Sequence, residues 1–360
     1  MNRIGYLIIS AIISLTVITV FSNKQHNINP EEFALGIQNT AILGEYRGYP
    51  FNSTGINNSN LIVEGYEKSN INGGVVLWIG NSQLHGINDY QLGDLNTPQI
   101  MFDTQLANNL YTIVISPPNG NLQEHLLTYE YLKHKMPIKY LILSLVFDDT
   151  REDDIRDISK LLDDTLTNNS LNRYKYFNDS YKIEEENFNF NSDAIQKTIQ
   201  ERTEAFFNKY LDENFGIWEH RATIRTNINK NLYYLRNRIF GIDPLTKRKL
   251  LYGPYNKNLN ALTFLVQETI IDNIPCILYI APIRQDLEIP YYTNEYEKFK
   301  KETLSIANTH KIKFLNLEKI VPPEYWGYRE IFENSVEYDF MHFKEEGHKI
   351  LVDTLVKYLD

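Results

Sequence analysis

Five short apolar runs constrain the fold of this 360-residue chain more than any other feature. They are Val75–Ile79, Tyr111–Ile115, Tyr140–Phe147, Cys276–Ile280 and Lys313–Leu317. The first four are continuous rather than alternating, which suits strands buried on both faces. Gly80 closes the first run, and Pro117-Pro118 close the second, where a central strand cannot continue. Helical periodicity lies between them, over 122–134, 260–272, 293–309 and 345–359. Short buried strands alternating with helices predict an α/β fold with a parallel central sheet covered on both faces. Ile100-Met101-Phe102 reads as a further short strand. Residues 151–259 break the rhythm: they are charged, Asn-rich and aromatic, with candidate helices over 151–166, 193–212 and 218–240. They read as a mainly helical insertion between core segments 73–150 and 260–360.

The N-terminus carries a different kind of information. Ile4 to Phe21 is an uncharged run of 18 residues after Arg3. As a helix it spans about 27 Å, close to the hydrocarbon thickness of a bilayer. Residues 1–24 therefore read as a membrane anchor, with a cleaved signal as the alternative, since Val20 and Ser22 are small residues suited to a cut. Either reading puts the rest of the chain outside the cytoplasm, periplasmic or extracellular. Residues 25–72, polar and rich in Asn and Gly, read as a tether and loosely packed lead-in.

Composition removes several function classes. A net charge of −10 opposes binding to a phosphate backbone, so no nucleic-acid partner is expected. The single cysteine, Cys276, excludes an intrachain disulfide and a Cys-rich metal site, and its apolar surroundings predict plain packing. No metal-ligand spacing, phosphate-cradling glycine loop or dinucleotide fingerprint occurs, so neither a metal nor another cofactor is expected.

Active residues in parallel sheets sit just past the carboxyl ends of strands. Ser82, in Gly80-Asn81-Ser82-Gln83, follows the first run and opens a helical turn whose free N–H groups could face an oxyanion. The plainer alternative is a helix cap at Asn81 or Ser82. Asp339-Phe340-Met341-His342 sets a carboxylate three residues before an imidazole. On a turn, Asp339 can orient one ring nitrogen and leave the other to take a proton from Ser82. A solvated surface pair is the plainer alternative there. His85 is expected to pack, and His125 and His134 to be exposed on a helix. Arg284 is a candidate for holding an acidic substrate group, or for an ion pair with Asp286 or Glu288. Tyr291, Tyr292, Tyr325, Trp326 and Tyr328 could stack on sugar rings or pack loops.

Taken together, Gly80-Asn81-Ser82 after the first core strand and Asp339-x-x-His342 near the C-terminus resemble the blocks of the SGNH, or GDSL-type, hydrolase superfamily. Gly347-His348 looks like that family's glycine-containing start of the last helix. The resemblance implies a three-layer, flavodoxin-like α/β fold and a triad of Ser82, His342 and Asp339. It also implies an oxyanion hole formed by the N–H groups of Ser82 and Gly120, with Asn119 or Asn121 as a side-chain donor. The family's third block should supply an Asn after the 140–147 strand, but Asp148-Asp149 stand there, and an ionised Asp donates no hydrogen bond. The anchor and insertion are similar to those of exported envelope-modifying members. That implies a serine esterase or O-acyltransferase acting on an acylated small molecule or a glycan, with a membrane acyl-donor protein as a possible partner. The alternative is a non-catalytic binding or assembly component of an envelope-polysaccharide machine.

Overall fold

A computed structural model describes residues 43–53, 59–85, 93–117, 120–152, 155, 164–172, 247–332 and 335–359. The N-terminal run 4–21 and candidate helices 193–212 and 218–240 lie outside the described residues. Among the described residues no helix is long and apolar enough to cross a membrane.

The central sheet has seven strands: β1 (Leu43–Tyr46), β2 (Tyr49–Ser53), β3 (Val75–Ile79), β4 (Tyr111–Ile115), β5 (Ile138–Leu145), β6 (Cys276–Ile280) and β7 (Lys313–Asn316). Their order is β1-β2-β4-β3-β5-β6-β7. Only the β1–β2 pair is antiparallel. From β3 onward the order is that of a flavodoxin-like sheet, in which the chain steps from β3 to one side and then returns to the other. The crevice of such a sheet opens at the carboxyl end of its first strand, and Ser82 lies there. Every residue of β3, β4 and β6 is buried, as continuous apolar runs require. Trp78 is fully buried, with its indole N–H donating to the Tyr279 hydroxyl at 3.2 Å, so burial leaves no orphaned donor.

Among the described residues seven α-helices accompany the strands: α1 (Ser59–Lys68), α2 (Thr97–Leu106), α3 (Leu122–Lys133), α4 (Thr165–Leu171), α5 (Tyr252–Ile271), α6 (Thr293–His310) and α7 (Glu345–Val356). β8 (Trp326–Phe332) and β9 (Ser335–Phe343) form a separate antiparallel hairpin.

Three sequence expectations are corrected. Ile100–Phe102 is not a strand but the interior of α2. Asn96 and Gln99 form a capping box and Pro98 occupies the first turn, which commits the segment to a helix. Met101 and Phe102 are among its buried side chains. Residues 43–53 and 59–68, within the expected lead-in 25–72, are not loosely packed but form strands and a helix. Arg47 and Gly48, both with positive φ, make a two-residue hairpin turn between Tyr46 and Tyr49. β2 then pairs with β4, and Phe51 is buried against Phe102. Finally, the insertion ends earlier than residue 259. α5 starts at Tyr252 and packs on α3. Its Asn258 Oδ1 accepts from the Leu122 and Gln123 N–H groups at 2.9 and 3.3 Å, serving the orphaned donors at the start of α3. At the other end of the insertion, Lys135 and His134 reach Asp164 and Ser170 of the α4 segment at 2.8 and 3.0 Å.

A charged cluster is sealed between α3 and α5. Lys133 Nζ bonds Glu268, and Glu130 and Asp272 at 3.0 Å each. The side chains of Glu130 and Glu268 are fully buried. Burial, together with the neighbouring Glu268 charge and against the attraction of Lys133, pushes the Glu130 carboxyl up to about 7.

Candidate active site

The loop after β3 is shaped by Gly80 and Asn81. A Cβ at Gly80 would lie 2.7 Å from Leu84 Cδ1 and 3.2 Å from Ser144 Cβ, so a side chain does not fit. Asn81 Oδ1 accepts from the Gln83 N–H at 3.0 Å and caps the 3-10 turn Ser82–Leu84. Asn81 Nδ2 donates to the buried carboxylate of Asp149 at 3.1 Å. Asparagine suits both contacts because one amide end accepts and the other donates. A carboxylate in its place would face that of Asp149.

Ser82 heads this turn, half-buried, where its own N–H has no partner within the turn. Its Oγ lies 3.0 Å from His342 Nε2, and His342 Nδ1 lies 2.8 Å from Asp339 Oδ2. The three side chains thus form one hydrogen-bonded line, from residues 260 positions apart. Asp339 and His342 sit on β9 rather than on a turn. Asp339 Oδ1 also accepts from the N–H groups of Met341 and His342 at 2.8 and 3.1 Å. Burial alone would raise this carboxyl. The imidazole of His342 and these N–H donors outweigh it and hold Asp339 below the usual carboxylate range. Asp339 is therefore ionised and fixes the imidazole with Nδ1–H towards it and Nε2 towards Ser82, the orientation a general base needs.

The expected oxyanion donors fare unevenly. Gly120 is buried, but its N–H donates to the Pro117 carbonyl at 3.0 Å and closes a turn. Asn119 lies outside the described residues. Asn121 Oδ1 accepts from the Glu124 N–H at 3.0 Å, in a capping box that starts α3. Asp148 points elsewhere: it bonds Arg248 and accepts from the Tyr291 hydroxyl at 3.0 Å. It thereby anchors the returning end of the insertion, where Arg248 bridges Tyr291. The charge that the family pattern leaves unexplained is paired.

Arg284 does not hold a free cationic head. It is 3% exposed, pairs with Asp286 at 2.8 and 3.1 Å, and donates to the Gly327 carbonyl at 3.0 Å. His85 is fully buried with Nε2 at 2.9 Å from Ser116 Oγ, and burial lowers it to about 4. His348 is buried too, 2.7 Å from Thr97 Oγ1, and burial lowers it to about 3. His125 is buried, against expectation, while His134 is exposed. The helical pattern hid this because almost every residue of α3 is covered, polar ones included. Among the aromatics, Tyr291 and Trp326 are core residues; Tyr292 remains 38% exposed. Gly347 packs against Phe343, leaving a Cβ only 2.8 Å from Phe343 Cβ. Cys276 is buried, its thiol pushed up to about 12. Gln83 escaped sequence reading: a glutamine beside a serine has no distinguishing pattern, and its partners are carbonyls remote in sequence.

No protein-family model and no curated protein sequence matches the chain. Among solved structures it is similar to an acetylxylan esterase from Geobacillus stearothermophilus, at 9% identity over 80% of this chain and 94% of that one, TM-score 0.40. It is similar also to an α/β hydrolase enzyme from the metagenome of Lake Arreo, Spain, at 9% identity over 80% of this chain and 95% of that one, TM-score 0.39. The likeness is loose. The fold assignment rests on the strand order and register given above.

Proposed function

We propose that the chain is an SGNH-type serine esterase or O-acyltransferase. The observation that carries this reading is the unbroken line Ser82–His342–Asp339, at 3.0 and 2.8 Å. Ser82 Oγ attacks an ester carbonyl carbon while His342 Nε2 takes the hydroxyl proton, and Asp339 stabilises the imidazolium. The tetrahedral intermediate collapses, the ester C–O bond breaks, and the leaving alkoxide takes the proton back from His342. Water or a sugar hydroxyl then attacks the acyl-enzyme by the same route in reverse, which releases Ser82. The Ser82 N–H at the head of its turn supplies one donor to the oxyanion.

The setting of this chemistry is proposed from the sequence. Residues 1–24 tether the chain to a membrane, with the catalytic unit outside the cytoplasm. The substrate is an acylated small molecule or an envelope or extracellular glycan. In the transferase version, a membrane acyl-donor protein supplies the acyl group. A second reading, a non-catalytic component of a polysaccharide machine, has one specific support: Gly120 and Asp148 are both engaged elsewhere, which thins the oxyanion hole.

Labelling with a fluorophosphonate separates the two. The catalytic reading expects labelling of the parent and loss in Ser82→Ala and His342→Ala, with acetate released from acetylated esters by the parent only. Absence of both labelling and acetate release sinks it.

A further inference from the structure

The base and the nucleophile of this site belong to different sheets. Ser82 follows β3 of the seven-stranded sheet, whereas His342 lies on β9, whose ladder partner is β8 alone. Neither backbone ladder sets the distance between them. Side chains must do so, and one stands at the junction. Gln83 is fully buried and adjacent to Ser82. Its Nε2 donates to the carbonyl of Pro282, just past β6, and to the carbonyl of Met341, both at 2.8 Å. Met341 is the residue before His342. Two carbonyls at this distance from one atom identify it as the amide nitrogen, with both its hydrogens engaged. The Gln83 backbone N–H is itself fixed by Asn81 Oδ1 at 3.0 Å. One side chain thus links the nucleophile turn, the end of β6 and the base-bearing strand.

Resting on the triad reading above, we infer that Gln83 is a positioning residue that holds His342 in register with Ser82. The far side of the hairpin is tied separately. Arg284 donates from Nη1 to the carbonyls of Gly327 and Asp339 at 3.0 and 3.4 Å. Arg284 therefore steadies the Asp339 end, and Gln83 the His342 end. The amide is needed for these contacts: Glu offers at most one donor when protonated, Met and Leu offer none, and Asn is one methylene short.

The test uses the full chain in detergent and a fluorophosphonate probe. In the labelling step a Ser82 Oγ–P bond forms, fluoride leaves, and His342 takes the proton. Gln83→Met keeps the length and removes both donors. Labelling rate and probe affinity are measured separately and normalised to the folded fraction at each temperature. The expected result is a maximal labelling rate about 10- to 100-fold lower with unchanged probe affinity, the scale of a misplacement near 1 Å. Gln83→Glu, whose carboxylate faces both carbonyls, should fall at least as far. A purely structural glutamine would lower the melting temperature and leave the rate per folded molecule within about twofold, and that outcome overturns the inference. So does unfolding of both variants under conditions where the parent is folded. Absence of Ser82-dependent labelling in the parent is a distinct result, which defeats the triad reading itself.

Discussion

Two clusters in this molecule bury carboxylates beside a basic group, and they settle opposite charge states. At Asp339 two backbone N–H groups and one imidazole surround the carboxylate, and its acidity is strengthened despite burial. Between α3 and α5, Glu130 and Glu268 share Lys133 with Asp272, and Glu130 is pushed up to about 7. Burial acts against the charge at both places. The difference is the number of fixed donors per negative charge. Backbone N–H groups pointing at Asp339 cost no reorganisation, while a single ammonium divided among three carboxylates cannot compensate the desolvation of two of them. The first arrangement gives an orienting group that is ionised at neutral pH, as the proposed catalysis requires. The second gives a group whose charge depends on pH.

The largest effect is expected from equalising the two sites. Asp339→Asn removes the charge while keeping the shape of the side chain. The amide can turn its NH2 towards Nδ1 and force the wrong imidazole tautomer. Ester turnover, or the fluorophosphonate labelling rate, should fall about 10³–10⁴-fold with little loss of folded protein. A loss below about tenfold would mean that Asp339 does not orient the base.

A smaller effect separates the clusters by pH. Asp339 is more acidic folded than unfolded, so its contribution to stability is present above its ordinary value of 3.8 and is lost as pH falls through the lower folded value. Glu130 behaves oppositely. Its carboxyl rises from 4.5 to about 7, so the folded state holds the extra proton and stability declines as pH rises between those values. The decline from this group, about 7 minus 4.5 at 1.36 kcal/mol per pKa unit, is on the order of 3 kcal/mol. Lys133 stays charged throughout, and Glu268 and Asp272 share its field. His85 and His348 act against the trend, because the unfolded chain protonates them below their ordinary 6.5 while the folded chain holds them neutral down to about 4 and about 3. The parent-minus-variant difference isolates Glu130. In Glu130→Gln, denaturant stability measured from pH 4.5 to 7 should lose the Glu130 decline and rise relative to the parent at pH 7. An unchanged slope would show that Glu130 is ionised in the folded chain at pH 7.

These clusters also mark what the sequence can carry. Ser82, Asp339 and His342 were legible because each sits in a local block, Gly-x-Ser or Asp-x-x-His, at a predicted strand or helix boundary. Strands β3, β4, β6 and the second half of β5 were legible because burial on both faces makes them continuously apolar; β7, exposed or half-buried throughout, showed only through Phe314-Leu315. β1 and β2 were not: an edge hairpin such as Tyr49–Ser53 needs only Phe51 as an apolar anchor, and its two-residue turn shows in φ angles rather than hydropathy. Ile100–Phe102 misled because three apolar residues fit either period, and only the Asn96 cap decides between them. The lysine-centred cluster and the Gln83 bridge were invisible because their partners, Glu130 apart, lie 135 to 258 residues away. Side-chain meetings at that range are set by packing, which no local pattern encodes.

The smallest predicted effect concerns the pairing of an amide with a carboxylate beside the nucleophile turn. The SGNH pattern carries Asp before the serine; here Asn81 precedes Ser82 and meets Asp149. The contact needs one donor and one acceptor, so one Asn facing one Asp serves it whichever side carries the amide. Asn81→Asp alone sets two buried carboxylates against each other, and Asp149→Asn alone leaves an amide pair with weaker, neutral hydrogen bonding in place of a charge-assisted one. The double exchange restores a donor facing an acceptor, and the carboxylate introduced before Ser82 can still cap the turn through the Gln83 N–H. A double-mutant cycle on stability and labelling rate should therefore give a coupling of about 0.5–3 kcal/mol, the double variant exceeding Asn81→Asp in both. If the two substitutions add independently, the Asn81–Asp149 contact does not shape the Ser82 turn.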